Sequence, residues 1–349
     1  MRLATAALLA LLPIAALAQP VDPALRSAQW YDVTDDGHRS YVHELGRAQA
    51  AGDTVIVLHG GWGAEHGYLV DAFRPVADAH RLVFYDQRGS LRSPAPDSTI
   101  TLARLVADLE SLRGELGVER VTLAAHSMGN ALAYAYLGAH PERVRGLALV
   151  GPVLPGPFPA DSAFLARVAP ALSSDSLDAA RGRFELDLVE RVKRHRVAAG
   201  LVPDSLLAAP AVEVYRMRDA PGWSDRQRTD AWRIAFAAVN TCDGANWRAM
   251  QGGQVFYAPE VASAVLSDPA YAEAQARFLP DLLAFGGPVR VVIGTCDYVD
   301  LGPAVWPALA PQLGDGALAV VEGAGHSLWM DRPEAFARAL RAALEDATR

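Results

Sequence analysis

A serine, Ser127, stands where an apolar segment gives way to one of helical composition. Residues 121–125 are apolar or β-branched, which is typical of a buried strand, and residues 131–137 favour a helix. A sharp strand-to-helix turn holds a serine above the sheet edge, and the first amides of the new helix point toward the same place. Gly129 leaves such a turn room to close. We therefore predict that Ser127 is a nucleophile; the alternative is an ordinary helix N-cap, which serine also favours.

An aspartate and a histidine follow two later apolar segments. Residues 288–293 predict a strand that is followed by Asp297, and residues 317–321 predict a last strand that is followed by the glycine-flanked His326. In this chain order, serine, acid and histidine can form a triad in which the carboxylate orients the imidazole and the imidazole takes the serine proton. Asp300 is the alternative acid, and a buried structural role is the alternative for His326.

Glycines follow another apolar segment. Residues 54–58 predict a strand buried on both faces, and residues 59–63 continue as His-Gly-Gly-Trp-Gly. Glycines at a strand end let the backbone approach a ligand and turn its N–H groups inward. We predict that the amides of Gly61 and Met128 stabilise an oxyanion. His59 is expected to hydrogen-bond its own loop and to have no chemical role.

A charged loop follows the predicted strand over residues 81–85. It spans residues 86–93 with the sequence Asp-Gln-Arg-Gly-Ser-Leu-Arg-Ser, and it lies at the same predicted sheet edge as Gly61 and Ser127. We expect its role to be mainly structural, with Asp86 and Arg88 paired within the turn.

The composition is that of an ordinary globular protein. The chain has 349 residues, of which 51% are hydrophobic and 21% charged, enough for one large α/β domain and an insertion. A net charge of −8 argues against nucleic acid as a partner. We find no metal-ligand spacing, and we expect no cofactor or metal. Cys242 and Cys296 could form one disulfide, but a free buried pair is nearly as well supported.

The first eighteen residues have the layout of a secretory signal peptide. Arg2 precedes an apolar run, and residues 16–18, Ala-Leu-Ala, offer a cleavage site before Gln19. We expect an exported, soluble protein, either periplasmic or secreted. Pro13 and the short run disfavour a membrane span, so we expect no stable membrane insertion after cleavage. An uncleaved anchor is the alternative.

The order of the segments predicts an α/β architecture. Strands and helices alternate up to residue 150, with a helix expected over residues 69–79, after an antiparallel edge that turns at residues 36–37. This alternation predicts a doubly wound, mostly parallel sheet with its ligand site at the carboxyl ends of the strands. The next part of the chain has helical stretches without an obvious strand, which predicts a helical cap. We therefore divide the chain into a signal peptide (1–18), an α/β core (19–151 and 287–349) and a cap (152–286).

These motifs make the chain resemble the α/β-hydrolases, and among them the proline iminopeptidase-like branch of serine peptidases. The elbow, the acid loop and the histidine loop carry the first resemblance. Residues 59–63 are similar to the H-G-G-P-G of that branch, and residues 86–93 to its D-Q-R-G-x-G-x-S. Trp62 replaces the proline and Leu91 the second glycine. Residues 125–129, Ala-His-Ser-Met-Gly, are closer to the H-S-M-G form of general esterases and lipases.

The resemblance implies an α/β-hydrolase fold and a two-step acyl transfer on a small-molecule or short-peptide substrate. It favours an aminopeptidase that releases a small N-terminal residue such as proline, and a carboxylesterase or lactonase is the alternative. From a different class, a non-catalytic binding protein of this fold is a further alternative, although such proteins usually lose a triad member. Peptidases of the branch hold the substrate amine with cap carboxylates, and no particular acid of this chain is assigned that role.

Overall fold

Among the residues that the structure describes, eight strands form one sheet. The computed structural model describes residues 25–47, 54–156, 174–217, 220–250, 258–297 and 299–349, so the predicted signal peptide lies outside the described residues. The strands are β1 (Arg26–Val33), β2 (Arg39–Gly46), β3 (Thr54–Leu58), β4 (Arg81–Tyr85), β5 (Val121–His126), β6 (Val144–Val150), β7 (Val289–Gly294) and β8 (Leu318–Val321).

The sheet is mostly parallel. Its strand order is β1-β2-β4-β3-β5-β6-β7-β8. The pairs β1–β2 and β2–β4 are antiparallel, and every later pair is parallel. The predicted fold class, a parallel sheet with an antiparallel edge and helices on both faces, is confirmed. Because β3 to β8 run in one direction, the loops that follow them meet at one edge.

Eleven α-helices are present among the described residues. None of those described is both long and apolar enough to cross a bilayer. They are α1 (Gly67–Phe73), α2 (Leu102–Glu115), α3 (Gly129–Ala139), α4 (Ser174–Ala198), α5 (Ala211–Arg216), α6 (Asp225–Asn240), α7 (Pro259–Leu266), α8 (Pro269–Ala284), α9 (Gly302–Leu309), α10 (Leu328–Asp331) and α11 (Pro333–Ala347).

Strand β3 shows how the sheet is buried on both faces. All five of its residues are buried. Side chains alternate between the two faces of a strand, so Ile56 and Leu58 pack in the cluster that contains α2 and α3. Val55 and Val57 pack in the cluster that contains α1 and α11. Burial on both faces explains why this segment is continuously apolar instead of alternating.

The last helix, α11, is fixed to the sheet at its C-terminal end. The Thr122 hydroxyl of β5 donates to the Ala347 carbonyl at 3.2 Å, although the two residues are 225 positions apart. Gly146 of β6 lies beneath the same carbonyl, and a Cβ there would be 2.2 Å from the oxygen. A side chain at position 146 would therefore displace the helix from the sheet.

The described segments between β6 and β7 are helical, and we call them the cap. They contain α4 to α8 and no strand among their described residues. The cap has an apolar cluster of its own, which includes Val192, Trp223, Ile234 and Trp247. The boundaries of the cap at residues 152 and 286 stay a prediction.

Candidate active site

Ser127 lies in a tight turn between β5 and α3. Its φ is +55°, a left-handed conformation that is uncommon for residues other than glycine. The Ser127 amide donates to the Val150 carbonyl at 3.2 Å, and its carbonyl accepts from Asn130 Nδ2 at 2.9 Å. At Gly129 a Cβ would lie 2.6 Å from the Leu58 carbonyl oxygen, so the glycine lets the helix start directly against β3. The structure thus places Ser127 at the expected strand-to-helix turn.

Asp297 and His326 form a buried pair at the same sheet edge. Asp297 Oδ1 lies 3.0 Å from His326 Nδ1, and the two side chains are 2% and 3% exposed. A carboxylate accepts hydrogen bonds, so Nδ1 carries the proton and Nε2 keeps its lone pair, the tautomer that a general base needs. The side chain of Asp300, the alternative acid, lies outside the described residues.

The pair lies directly against the backbone beside the serine turn. Gly151 has a φ of +47°, and a Cβ there would be 3.0 Å from His326 Nδ1 and 3.1 Å from Asp297 Oδ2. Gly151 follows Val150, whose carbonyl accepts the Ser127 amide. The end of β6 therefore contacts the serine turn on one side and the acid–histidine pair on the other.

The glycine loop after β3 contacts Ser127. A Cβ at Gly60 would be 2.5 Å from the Ser127 Cβ and 3.2 Å from its Oγ. Gly61 has a φ of +69°, which glycine adopts freely. In the described part of the chain, the amides of Gly61 and Met128 donate to no other protein group. Both amides can therefore donate a hydrogen bond to a ligand oxygen.

His59 is a structural residue of this loop, as expected. Its Nδ1 donates to the Gly60 carbonyl at 3.1 Å, and its Nε2 accepts the Gln87 amide at 3.1 Å. The Gln87 side-chain amide donates to the His59 carbonyl at 2.9 Å. Burial lowers the pKa of His59, so the ring stays neutral and can donate from one nitrogen and accept at the other.

Asp86 does not pair with Arg88, so that prediction is wrong. Asp86 instead accepts from His66 Nδ1 at 2.6 Å and from Arg92 Nε at 2.8 Å. Burial raises the pKa of Asp86, but the hydrogen bonds from His66 and Arg92 outweigh it and lower the pKa overall. Glu65, His66 and Asp86 could reach one metal ion, but Arg92 already pairs with both carboxylates. A cation would have to displace that guanidinium.

Arg88 points to the opposite side of the loop. It pairs with Asp108 of α2 at 2.6 Å and with Asp36 of the β1–β2 turn at 3.0 Å. Arg88 lies within the turn that the Ser90 amide closes onto the Gln87 carbonyl, and Asp86 precedes that turn. The loop over residues 86–93 therefore joins the β1–β2 turn, α1 and α2, which is the structural role expected of it.

A disulfide joins Cys242 of the cap to Cys296, the residue before Asp297. The two Cα atoms are 5.2 Å apart. Of the two alternatives that the sequence left open, the structure has the disulfide. Beside it, the Asp331 carboxylate accepts the Cys242 amide at 2.7 Å and the Gly325 amide at 2.9 Å. Asp331 had no sequence signal, because a single acid between Met330 and Arg332 belongs to no recognisable motif.

Two more residues beside the elbow were missed, Tyr68 and His126. His126 precedes Ser127 at the end of β5 and is buried, and its Nδ1 lies 2.9 Å from the Tyr68 hydroxyl. In the sequence His126 stands out only as part of the elbow motif, and Tyr68 belongs to no motif.

The sequence profile of the α/β hydrolase fold family matches residues 53–333. The chain belongs to the α/β-hydrolase fold family. Its relatives also place it with the proline iminopeptidase-like proteins. A probable proline iminopeptidase of Streptomyces coelicolor is 30% identical to it, over 86% of this chain and 90% of the relative. A proline iminopeptidase of Xylella fastidiosa is 39% identical, but that match spans only 34% of this chain and 37% of the relative.

A solved structure shows the same fold over the whole domain. The proline iminopeptidase-related protein of Thermus thermophilus aligns with a TM-score of 0.54 and 24% identity, covering 93% of this chain and 99% of the other. Together, the family and these relatives support a hydrolase rather than a non-catalytic binding protein of the same fold.

Proposed function

We propose that the chain is a serine hydrolase that works by two-step acyl transfer. His326 Nε2 takes the proton of the Ser127 hydroxyl as the Oγ attacks a substrate carbonyl, and Asp297 stabilises the imidazolium that forms. The imidazolium then gives its proton to the leaving group, and the acyl group stays on Ser127. A water molecule, activated by the same imidazole, hydrolyses the acyl-enzyme and restores the free serine.

The proposed oxyanion donors are the amides of Gly61 and Met128. Charge develops on the carbonyl oxygen as the tetrahedral intermediate forms, and fixed N–H groups in a site shielded from water stabilise that charge. The glycine loop lies against Ser127, as the close approach at Gly60 shows. Met128 is the residue after the nucleophile, at the start of α3, whose dipole also favours negative charge.

The observation that carries the proposal is the Asp297–His326 contact of 3.0 Å, placed at the edge where Ser127 stands in a left-handed turn. A buried histidine paired to a buried carboxylate beside such a serine is an arrangement that acyl transfer requires. No cofactor takes part in these steps.

For the substrate, we propose a short peptide or amide with a free amino terminus, from which a small residue such as proline is released. Two facts support this choice. The Streptomyces coelicolor relative, which aligns over most of both chains, carries the name probable proline iminopeptidase. The loops over residues 59–63 and 86–93 also have the pattern of that branch. An acidic side chain of the cap would hold the substrate amine.

Three substrates test this proposal with purified protein and Ser127→Ala as the control. They are proline p-nitroanilide, its N-blocked analogue and p-nitrophenyl butyrate. The proposal expects turnover of the free-amine anilide alone, lost in the variant. Turnover of the butyrate without the anilide would replace the aminopeptidase by a carboxylesterase. Labelling by a fluorophosphonate that persists in Ser127→Ala would refute the role of Ser127 itself.

We also propose that the chain is exported and that its mature form starts at Gln19. The apolar run and the Ala-Leu-Ala sequence before Gln19 support this proposal. N-terminal sequencing of the protein from a periplasmic or culture fraction tests it. A chain recovered intact from Met1 in the cytoplasmic fraction alone would contradict it.

A further inference from the structure

Tyr68 and His126 join three loops of the site, although the proposed mechanism does not use them. The Gly60 amide donates to the Tyr68 hydroxyl at 2.7 Å, and that hydroxyl lies 2.9 Å from His126 Nδ1. His126 Nε2 lies 3.2 Å from the main-chain carbonyl oxygen of His326. The hydrogen bonds thus run from the glycine loop, through the residue before Ser127, to the histidine loop.

Each of these hydrogen bonds has only one direction. The His326 carbonyl can only accept, so His126 Nε2 carries the proton and Nδ1 must accept. The Tyr68 hydroxyl therefore donates to His126 and accepts from Gly60. Burial, followed by the nearby charge of His326, lowers the pKa of His126, and burial raises the pKa of Tyr68. Both side chains keep the protonation state that the chain of bonds needs.

The same loop is held on its other side by His59. Its Nδ1 donates to the Gly60 carbonyl at 3.1 Å. In a trans peptide the carbonyl and the next N–H point in opposite directions, so fixing the Gly60 carbonyl also fixes the Gly61 amide. Tyr68 holds the Gly60 amide and His59 holds the Gly60 carbonyl. Two adjacent glycines would otherwise have wide conformational freedom.

We propose that Tyr68 and His126 are positioning residues of the hydrolase reaction. Through Gly60 they aim the Gly61 amide, and through the His326 carbonyl they hold the general base at a fixed place beside Ser127. The His126 ring also packs against the His326 ring, with centroids 4.7 Å apart. The inference rests on the proposed function, since positioning matters only if these groups act on a substrate. Preorganised donors are effective because they need no reorientation during the reaction.

The first test is Tyr68→Phe. The variant keeps the ring, whose centroid is 5.9 Å from that of Trp329, and removes only the hydroxyl. We expect kcat to fall about tenfold or more, with KM little changed. This loss is smaller than the one that follows removal of a whole oxyanion donor, which is about 100- to 1,000-fold in kcat. Tyr136→Phe is the matched control, because its buried hydroxyl bonds Glu110 on α2, away from the site. The control should keep its kcat.

Two readouts separate positioning from lost stability. Titration of active sites with a fluorophosphonate gives kcat per active molecule, so a smaller folded fraction does not lower the measured kcat. A boronic acid, which forms a tetrahedral adduct with the serine, should lose affinity in Tyr68→Phe by about the same factor as kcat/KM. Unchanged labelling rate, boronate affinity and kcat per site in Tyr68→Phe would overturn the proposal, as would equal losses in Tyr136→Phe.

Substitutions of His126 test the end of the hydrogen-bonded chain that contacts the His326 carbonyl. His126→Gln keeps a side-chain amide that can donate to the His326 carbonyl, whereas His126→Leu has no donor. We expect the leucine variant to lose more of its kcat per active site than the glutamine variant. If both variants had the kcat per active site of wild type, the proposal would be overturned. If the fluorophosphonate does not label wild type, the proposed function fails and this inference fails with it. If wild type is labelled but the variants behave like wild type, only the positioning role fails.

Discussion

Cys242 and Cys296 are linked by a disulfide that fixes the cap to the residue before Asp297. The neighbouring cap residues contact the histidine loop. The Ser327 amide donates to the Asn240 carbonyl at 2.7 Å, and a Cβ at Gly325 would lie 2.7 Å from the Thr241 Cα. The acid loop and the histidine loop therefore share one support, the cap segment over residues 240–246. The position of Asp297 relative to His326 therefore depends on the cap as well as on the sheet.

The disulfide should contribute to both stability and activity. The cysteines are 54 residues apart, and closing a loop of that length is worth up to about 4 kcal/mol in the chain-entropy account. The double variant Cys242→Ser with Cys296→Ser should unfold at lower urea concentration and have a lower kcat. Wild type in reductant should behave like the variant, and the variant should not respond to reductant. Identical unfolding midpoints and kcat with and without reductant would contradict this expectation.

Asp297→Asn should abolish most of the activity while the fold is kept. The amide can present an N–H to His326 Nδ1 and favour the wrong imidazole tautomer, and the corresponding change in a serine protease lowers kcat by about 10,000-fold. The measurement is kcat per folded molecule. Asp281→Asn on α8 is the control, because among the described residues that carboxylate pairs with the exposed Arg277 alone. A fully active Asp297→Asn would move the orienting role to another acid, with Asp300 the first to test.

Gly60→Ala should impair catalysis by crowding the nucleophile. The new methyl would meet the Ser127 Cβ at 2.5 Å, a distance that forces the loop or the serine to shift. A shift of about 1 Å at a reacting centre can cost about 100-fold in rate, and we expect a loss of kcat/KM on that order. Gly114→Ala, near the end of α2, is the control because its Cβ would meet nothing within 4 Å. Equal kcat/KM in the two variants would contradict the close approach.

Stability should fall as the pH drops below about 6.5. Burial lowers the pKa of His59 and of His126 below the ordinary histidine value of 6.5, so the unfolded chain binds protons that the folded chain does not. Each such histidine steepens the pH dependence by up to about 1.4 kcal/mol per pH unit. Urea unfolding between pH 5 and 8 measures it, and His126→Gln should show a shallower slope. A constant free energy of unfolding across this range would contradict the prediction.

The strands and their terminal residues could be predicted because parallel strands bring their carboxyl ends to one edge. Apolar segments end just before Ser127, Asp297 and His326, so their meeting follows from the pattern. The helix expected over residues 69–79 instead ends as an α-helix at Phe73 and continues as a 3₁₀ turn over Arg74–Val76. Pro75 explains the change, because it has no N–H for a helical hydrogen bond.

Contacts between loops could not be predicted, because they depend on how distant segments meet. Arg88 could pair with Asp86, two residues before it, or with Asp108 of α2. Only the direction of the turn decides that it pairs with Asp108. The bond between Tyr68 and His126 spans 58 residues and has no periodic pattern. The disulfide was undecided for the same reason, since spacing does not report the distance between two thiols.

The anchor of α11 on the sheet constrains the order of folding. The Thr122 hydroxyl and the Gly146 Cα meet the Ala347 carbonyl only when the last turn of α11 has formed. The part of this face that α11 covers therefore stays exposed until the helix has formed, and contacts this distant in sequence form slowly. Removing the residues around Ala347 should consequently leave apolar sheet surface uncovered at the end of α11, although all eight strands of the sheet precede that helix.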